Sequence, residues 1–257
     1  LSGKKIILNP DGLEWKRKKW TKPVKWFLKI SESIGIRFSD VVVSDNEKIT
    51  EYINEEYNKN SQLIEYGGDH VIKGIKLSDK TSEYYKIQSN RYAFKVCRIE
   101  PENNIHVILE AFVNNKIPLI IVGNWTYSKY GENLRNKYAS FSNIQMLDAI
   151  YDQVILDELR NNCLIYIHGH SVGGTNPSLV EAMNLGLAVV AFNVPFNIVT
   201  TENEALFFTS SNDLELLLNN IYENKIDLNN IRTKMSEIAR RRYIWDIVTK
   251  KYALLFH

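Results

Sequence analysis

The densest chemistry in this sequence lies in the run His168, Gly169, His170, Ser171, Val172, Gly173, Gly174, Thr175, Asn176, followed one helical turn later by Glu181. Glycines let a backbone come close to an anion, and a helix N-terminus attracts one. Gly173, Gly174, Thr175, Asn176 and Ser178 are spaced to line such a place. A phosphate is the natural guest of that loop, and a ribose diol the natural partner of Glu181. A glycine-rich turn with a surface glutamate has the same pattern, and a short glycine motif alone does not separate the two. Arg98 closes a second apolar run, where a guanidinium can reach a phosphate with a two-pronged geometry that lysine lacks. A surface ion pair is its plain alternative. Tyr66, Gly67, Gly68 and Asp69 form a turn able to serve as hinge and ligand loop at once. His168 and His170 carry metal-ligating side chains, but no third ligand is signalled nearby, so hydrogen bonding or core packing accounts for them better than a metal. The sequence has no P-loop, no complete G-x-G-x-x-G, no paired-cysteine spacing and no Asp-x-Asp.

These residues need elements to position them. Residues 164–167 and 188–192 are short apolar runs bounded by turn residues, as in strands covered on both faces of a parallel sheet. Between them a helix is predicted over 177–185, with Asn176 as N-cap, Pro177 in the first turn and Gly186 as the stop. Arg98 follows a strand at 92–97 and precedes a helix at 105–114. Further strands are expected at 118–122, 144–147 and 206–208, and helices at 152–161, 213–222 and 231–241. Trp245, Val248, Tyr252 and Leu255 recur at helical spacing in a last, packed helix. Upstream, strands at 4–9, 40–43 and 63–65 alternate with helices at 25–37 and 47–57. The polar stretch 58–61 is the candidate boundary between units. Alternating strands and helices argue for an α/β fold with doubly wound parallel sheets.

The 257 residues can bury a sizeable core and hold two domains, and 44% hydrophobic with 24% charged residues is ordinary for a folded soluble protein. A net charge of +2 gives no general sign of nucleic acid. One region is different. Lys16, Arg17, Lys18, Lys19, Lys22, Lys25 and Lys29 are interleaved with Trp15, Trp20, Trp26 and Phe27. This composition suits an anionic membrane surface or a phosphate-bearing acceptor, equally a solvated basic face with tryptophans in the core, and third, because the rest of the chain is not basic, nucleic acid. Cys97 and Cys163 end apolar strands and read as buried structural thiols in a reducing compartment. No run is long or apolar enough to span a bilayer, and no signal peptide is seen. The expected location is cytoplasmic, with a peripheral contact to the inner membrane face through Trp15, Lys18, Lys19, Trp20 and Lys22. The chain opens directly on a strand-like run, as a fragment would.

Three features carry a resemblance. Arg98 followed by Pro101 and Glu102 resembles an R-x-x-P-E-K phosphate motif, the segment ending in Glu181, Ala182 and Met183 resembles E-x7-E, and I-W-D-I-V-T-K-K-Y resembles a terminal crossing helix. All belong to the retaining, family-four nucleotide-sugar glycosyltransferases of the GT-B fold. The strings N-P-D-G-L-E-W-K-R-K-K-W, P-E-N-N and H-G-H-S-V-G-G-T-N-P-S-L-V-E-A-M resemble a bacterial branch that includes rhamnosyltransferases of surface-polysaccharide assembly. The resemblance implies a partial N-terminal Rossmann-like domain (1–61), a complete donor-binding domain (62–241) and a terminal helix crossing back (242–257). It implies metal-independent, retaining transfer of a sugar, rhamnose from a dTDP donor, to a lipid-linked or saccharide acceptor, with no cofactor and no nucleic acid. A UDP-sugar hexosyltransferase, a nucleotide-sugar epimerase and a non-catalytic nucleotide-binding fragment are the alternatives. The sequence also departs from the group. Its phosphate lysine falls at Asn103, the first glutamate of E-x7-E at Gly173, and the histidine near the transferred sugar at Asp11. His170 or the amides of Gly173 and Gly174 then stand in for the lost carboxylate, and Asp11 and His170 become the expected catalytic groups. Arg98, Gly67, Gly68, Gly173, Gly174, Thr175, Asn176, Ser178 and Glu181 become the expected substrate-binding residues.

Overall fold

The computed structural model describes residues 3–10 and 12–256. The first unit is a parallel three-stranded sheet built from β1 (Ile7–Leu8), β2 (Val41–Ser44) and β3 (Ser61–Leu63), in the order β1-β2-β3. Helices α1 (Lys22–Phe38) and α2 (Glu47–Tyr57) make the crossovers. The Asn46 side chain accepts from the Lys48 amide to start α2, and Asn58 ends it in the left-handed region. Ile49 and Ile53 on its inner face bury with Leu13, Ile36 and Val42. The polar stretch 58–61 does not end the unit: Ser61 pairs with Val42 and Leu63 with Ser44. The boundary expected between 61 and 62 therefore falls inside β3, because alternating polar residues on an edge strand look like a linker.

The second unit runs α3 (Asp79–Tyr85), β4 (Ala93–Val96), α4 (Ile105–Phe112), β5 (Leu119–Val122), α5 (Lys129–Tyr138), β6 (Ile144–Leu147), α6 (Gln153–Asn161), β7 (Ile165–His168), α7 (Pro177–Asn184), β8 (Val189–Phe192), α8 (Pro195–Thr200), β9 (Leu206–Phe208), α9 (Ser211–Tyr222) and α10 (Leu228–Arg242). Its six strands are parallel in the order β6-β5-β4-β7-β8-β9. The chain winds outward from β4 in one direction and from β7 in the other. The loops after those two strands thus diverge, opening a crevice at their carboxyl ends, where open α/β sheets bind ligands. All four residues of β5 are buried, as a strand covered on both faces requires. Helices α3, α5 and α8 have no counterpart among the expected elements. They are short or strongly polar, so their apolar periodicity is faint.

The last helix, α11 (Trp245–Ala253), returns to the first unit, where Val248 and Leu255 share a small core with Val43 and Ile64. Arg242 secures the junction. It donates to Glu65 at 2.8 and 3.0 Å, to Glu202 at 3.0 Å and to Glu47 at 3.0 Å, while Lys251 reaches the other oxygen of Glu65.

Candidate functional site

Glycine explains how the two units meet. A Cβ on Gly174 would lie 1.8 Å from Asp45 Oδ1, and one on Gly12 would lie 2.7 Å from the Gly174 nitrogen, so the β7–α7 loop touches the first unit almost backbone to backbone. Beside that contact lies a cavity of about 160 Å³ lined by Gly12, Arg17, Asp45, Tyr66, Arg98, His170 and residues 172–177. A wider depression of about 1010 Å³ sits among residues that precede β4, β5 and β7, including Arg91, Pro118 and Leu164. It lies at the amino ends of the strands, the wrong end of such a sheet for a ligand, so the smaller cavity is the candidate site.

The loops on either side of the crevice are braced to each other. Glu102 accepts at its carbonyl from the Ser171 amide and hydroxyl, both at 2.9 Å. Its side chain accepts from the Lys18 amide at 2.7 Å. Asn104 donates to the Gly169 carbonyl at 2.8 Å. Asn103 is buried and spent internally: its Nδ2 donates to the Arg98 carbonyl at 2.8 Å, which leaves Oδ1 facing His170 Nδ1 at 3.1 Å. Since that oxygen only accepts, its pairing with Nδ1 favours the proton on that nitrogen of His170. Burial, with Lys95 and Arg17 close by, drives the His170 pKa down to about 4, so the ring is neutral near pH 7. His170 therefore acts as a hydrogen-bonding group and not as a cation. His168, beneath it, is buried with neither ring nitrogen hydrogen-bonded, and burial pushes it well below the usual histidine range. Among the described residues no cluster of three or more metal-ligating side chains occurs. The Cys163 thiol, pushed up to about 12 by burial, is inert.

Several expected site residues do line the cavity: Arg98, His170, Gly173, Gly174, Thr175 and Asn176. Arg98 is 64% exposed and only loosely paired with Glu100, at 3.8 Å, so its guanidinium is available. Asn176 is the N-cap of α7, accepting from the Ser178 amide and hydroxyl, and the Thr175 hydroxyl is held by Asn46. The side chains of Thr175, Asn176 and Ser178 thus shape the loop first. Glu181 stands outside the cavity lining, between Arg160 Nη2 at 2.9 Å and His70 Nε2 at 3.2 Å. Gly67 and Gly68 lie outside the cavity lining. A Cβ on Gly67 would meet the Trp245 ring at 2.6 Å, and one on Gly68 the Val180 backbone at 2.7 Å, so both serve close packing, and Tyr66 is the member of that turn that reaches the cavity. Asp11 lies outside the described residues.

Sequence reasoning missed Arg17 as a cavity residue, since it sits in a basic run whose members look alike. The structure separates them. Trp15 packs on the small core with Lys16 and Lys29 over its ring, and Trp20 donates to Glu14 while Lys19 pairs with that carboxylate. These tryptophans are engaged within the protein. Trp26 and Phe27 on α1 are exposed, and so are Lys18, Lys19 and Lys22. Among the described residues no helix is long and apolar enough to cross a membrane.

Residues 1–69 match a domain of unknown function, DUF1972, and residues 79–242 match the family described as Glycosyl transferases group 1. No curated protein sequence matches the chain. Among solved structures, Anabaena Alr3699/HepE in complex with UDP superposes with a TM-score of 0.80 at 14% identity, over 98% of this chain and 72% of that one. Sucrose-phosphate synthase (tll1590) from Thermosynechococcus elongatus gives 0.79 at 14% identity, over 97% and 66%. The pneumococcal O-GlcNAc transferase GtfA, solved with UDP and GlcNAc, gives 0.67 at 14% identity, over 97% and 52%. At such identity the likeness speaks for the fold. The family match covers more than half of the chain, including both loops of the crevice, and the chain belongs to the glycosyl transferases group 1 on a GT-B fold.

Proposed function

We propose that the cavity between Arg98 and residues 172–177 holds the diphosphate of a nucleotide-sugar donor, and that the chain serves in retaining transfer of that sugar to a saccharide or lipid-linked acceptor. The observation that carries this reading is the convergence of an available guanidinium, a glycine loop and the N-terminus of α7 on one small cavity at the switch point of the sheet. In the transfer, the bond from the anomeric carbon to the diphosphate oxygen breaks and its electron pair stays with the leaving group. The acceptor hydroxyl oxygen bonds to the same face of that carbon, and its proton passes to the diphosphate. Negative charge grows on the leaving group, where Arg98 and the α7 dipole are already aimed. These supply the neutralisation that other enzymes draw from a divalent ion, so the reaction is expected to survive a chelator. His170 Nε2 accepts from a sugar hydroxyl. Asp11 is assigned to the transferred sugar by the resemblance alone. Glu181 takes the ribose diol once His70 yields its place.

The likeness of the long sequence strings to rhamnosyltransferases favours a dTDP donor in polysaccharide synthesis. The UDP held by the Anabaena and pneumococcal proteins favours a uridine donor as the second reading. Exposed Lys18, Lys19 and Lys22, with exposed Trp26 and Phe27 on α1, support a peripheral contact with an anionic membrane, checked by sedimentation with anionic vesicles. The test of the site is calorimetric titration with dTDP, UDP and GDP, for the natural chain and Arg98→Gln. Binding of one nucleoside diphosphate, weakened in the variant, is expected. A folded chain that binds none of the three ends the proposal.

A further inference from the structure

The cavity has a second arginine, and it comes from the other unit. Arg17 follows the short 3-10 turn Glu14–Lys16, and the amide of its neighbour Lys18 is tied to the Glu102 carboxylate at 2.7 Å. That bond holds Arg17 against the very loop that carries Arg98. Glu100 on this loop faces both guanidinium groups, with its Oε2 3.6 Å from Arg17 Nη1 and 3.8 Å from Arg98 Nε. One carboxylate thus stands between two arginines at the wall of the cavity, at distances long for a tight ion pair. A second anion therefore meets two guanidinium groups that Glu100 does not hold tightly. The two arginines differ in readiness. Arg17 is 12% exposed and steadied by Glu14, 2.6 Å from its Nε, whereas Arg98 is largely free. A guanidinium already held in place loses less rotamer freedom when it captures an anion. Asn103 offers no alternative cation, since it is neutral with both ends of its amide engaged.

We propose that Arg17 is a ligand of the donor diphosphate, reaching it from the first unit while Arg98 reaches it from the second, so that the anion bridges the two. The inference rests on the nucleotide-sugar reading of the site and adds its second cation. A diphosphate carries more negative charge than the shared Glu100 carboxylate and has oxygens enough for two forked donors. Its arrival exchanges a one-carboxylate bridge for a stronger one.

The test is calorimetric titration of the natural chain, Arg17→Gln, Arg17→Lys and Arg98→Gln with UDP and dTDP and with their monophosphates and nucleosides. Arg17→Gln is expected to weaken the diphosphate by about 10- to 100-fold, as the loss of a charge-assisted pair does, and to leave the nucleoside unchanged. Arg17→Lys keeps the charge without the fork and is expected to fall between. Diphosphate affinity in Arg17→Gln equal to that of the natural chain, with Arg98→Gln still impaired, overturns the inference and leaves the site standing. Equal weakening of nucleoside and diphosphate also overturns it, because the effect is then structural. If the natural chain binds no nucleotide, it is the underlying reading that fails.

Discussion

His170 gives the protein an acid-sensitive point whose size follows from its surroundings. Free histidine titrates near 6.5, and here burial beside Lys95, Arg17 and Arg98 brings the value to about 4. At neutral pH neither the folded nor the unfolded chain binds this proton. Between 6.5 and 4 the unfolded chain takes it up and the folded chain does not, so acidification favours unfolding, and stability present above 6.5 is lost as the pH falls. The loss from this one group between neutrality and about pH 4.5 is roughly 2 to 3 kcal/mol. His168 acts in the same direction beneath it. The discriminating variant is His170→Asn, whose amide nitrogen replaces Nδ1 as donor to Asn103 but does not titrate. Urea unfolding followed by tryptophan fluorescence at both pH values measures the effect. The variant is expected to lose about 2 kcal/mol less than the natural chain on acidification, whatever its stability at neutrality. Equal losses in the two proteins would show that His170 is not held neutral, and the proton assignment at its ring would fall with it.

Two substitutions probe how the units are held together. Gly174→Ala places a methyl group 1.8 Å from the Asp45 carboxylate. It should force the glycine loop from the first unit at a cost of about 1–3 kcal/mol and weaken nucleotide binding, and a melting temperature and affinity unchanged from the natural chain would contradict the close approach. Arg242→Met removes the guanidinium shared by Glu65, Glu202 and Glu47 and leaves buried Glu65 with Lys251 alone. A loss of about 3 kcal/mol in urea unfolding is expected, and a change below about 0.5 kcal/mol would mean the network adds nothing to the junction.

Much of the second unit was legible because local chemistry and fold agree there. Asn176, Pro177 and Gly186 bracket α7 as their types demand, and β6 and β9 fall where the apolar runs lie. The order of strands and helices already implied the parallel sheet, and the glycine loop and Arg98 do face one cavity. Other residues have a composition that fits two environments. Gly67 and Gly68 have the composition of a ligand loop, but a glycine needed for close approach to Trp245 looks no different from one needed for a phosphate. Trp15 and Trp20 carry the composition of a membrane patch and are occupied by Glu14, Lys16, Lys19 and Lys29.

Features that depend on neighbours along the chain could be read from residue order: the caps, the buried strands, the glycine loop at a helix start and the family to which they belong. Tertiary structure alone decided which of seven similar cations between Lys16 and Lys29 enters the cavity, that Asn103 Oδ1 faces Nδ1 of His170, and that Glu181 is held by Arg160 and His70. Charge and burial are set by groups distant in sequence and close in space. Arg17 and Glu100 lie on separate units, and only the docking of one unit against the other brings their side chains to 3.6 Å.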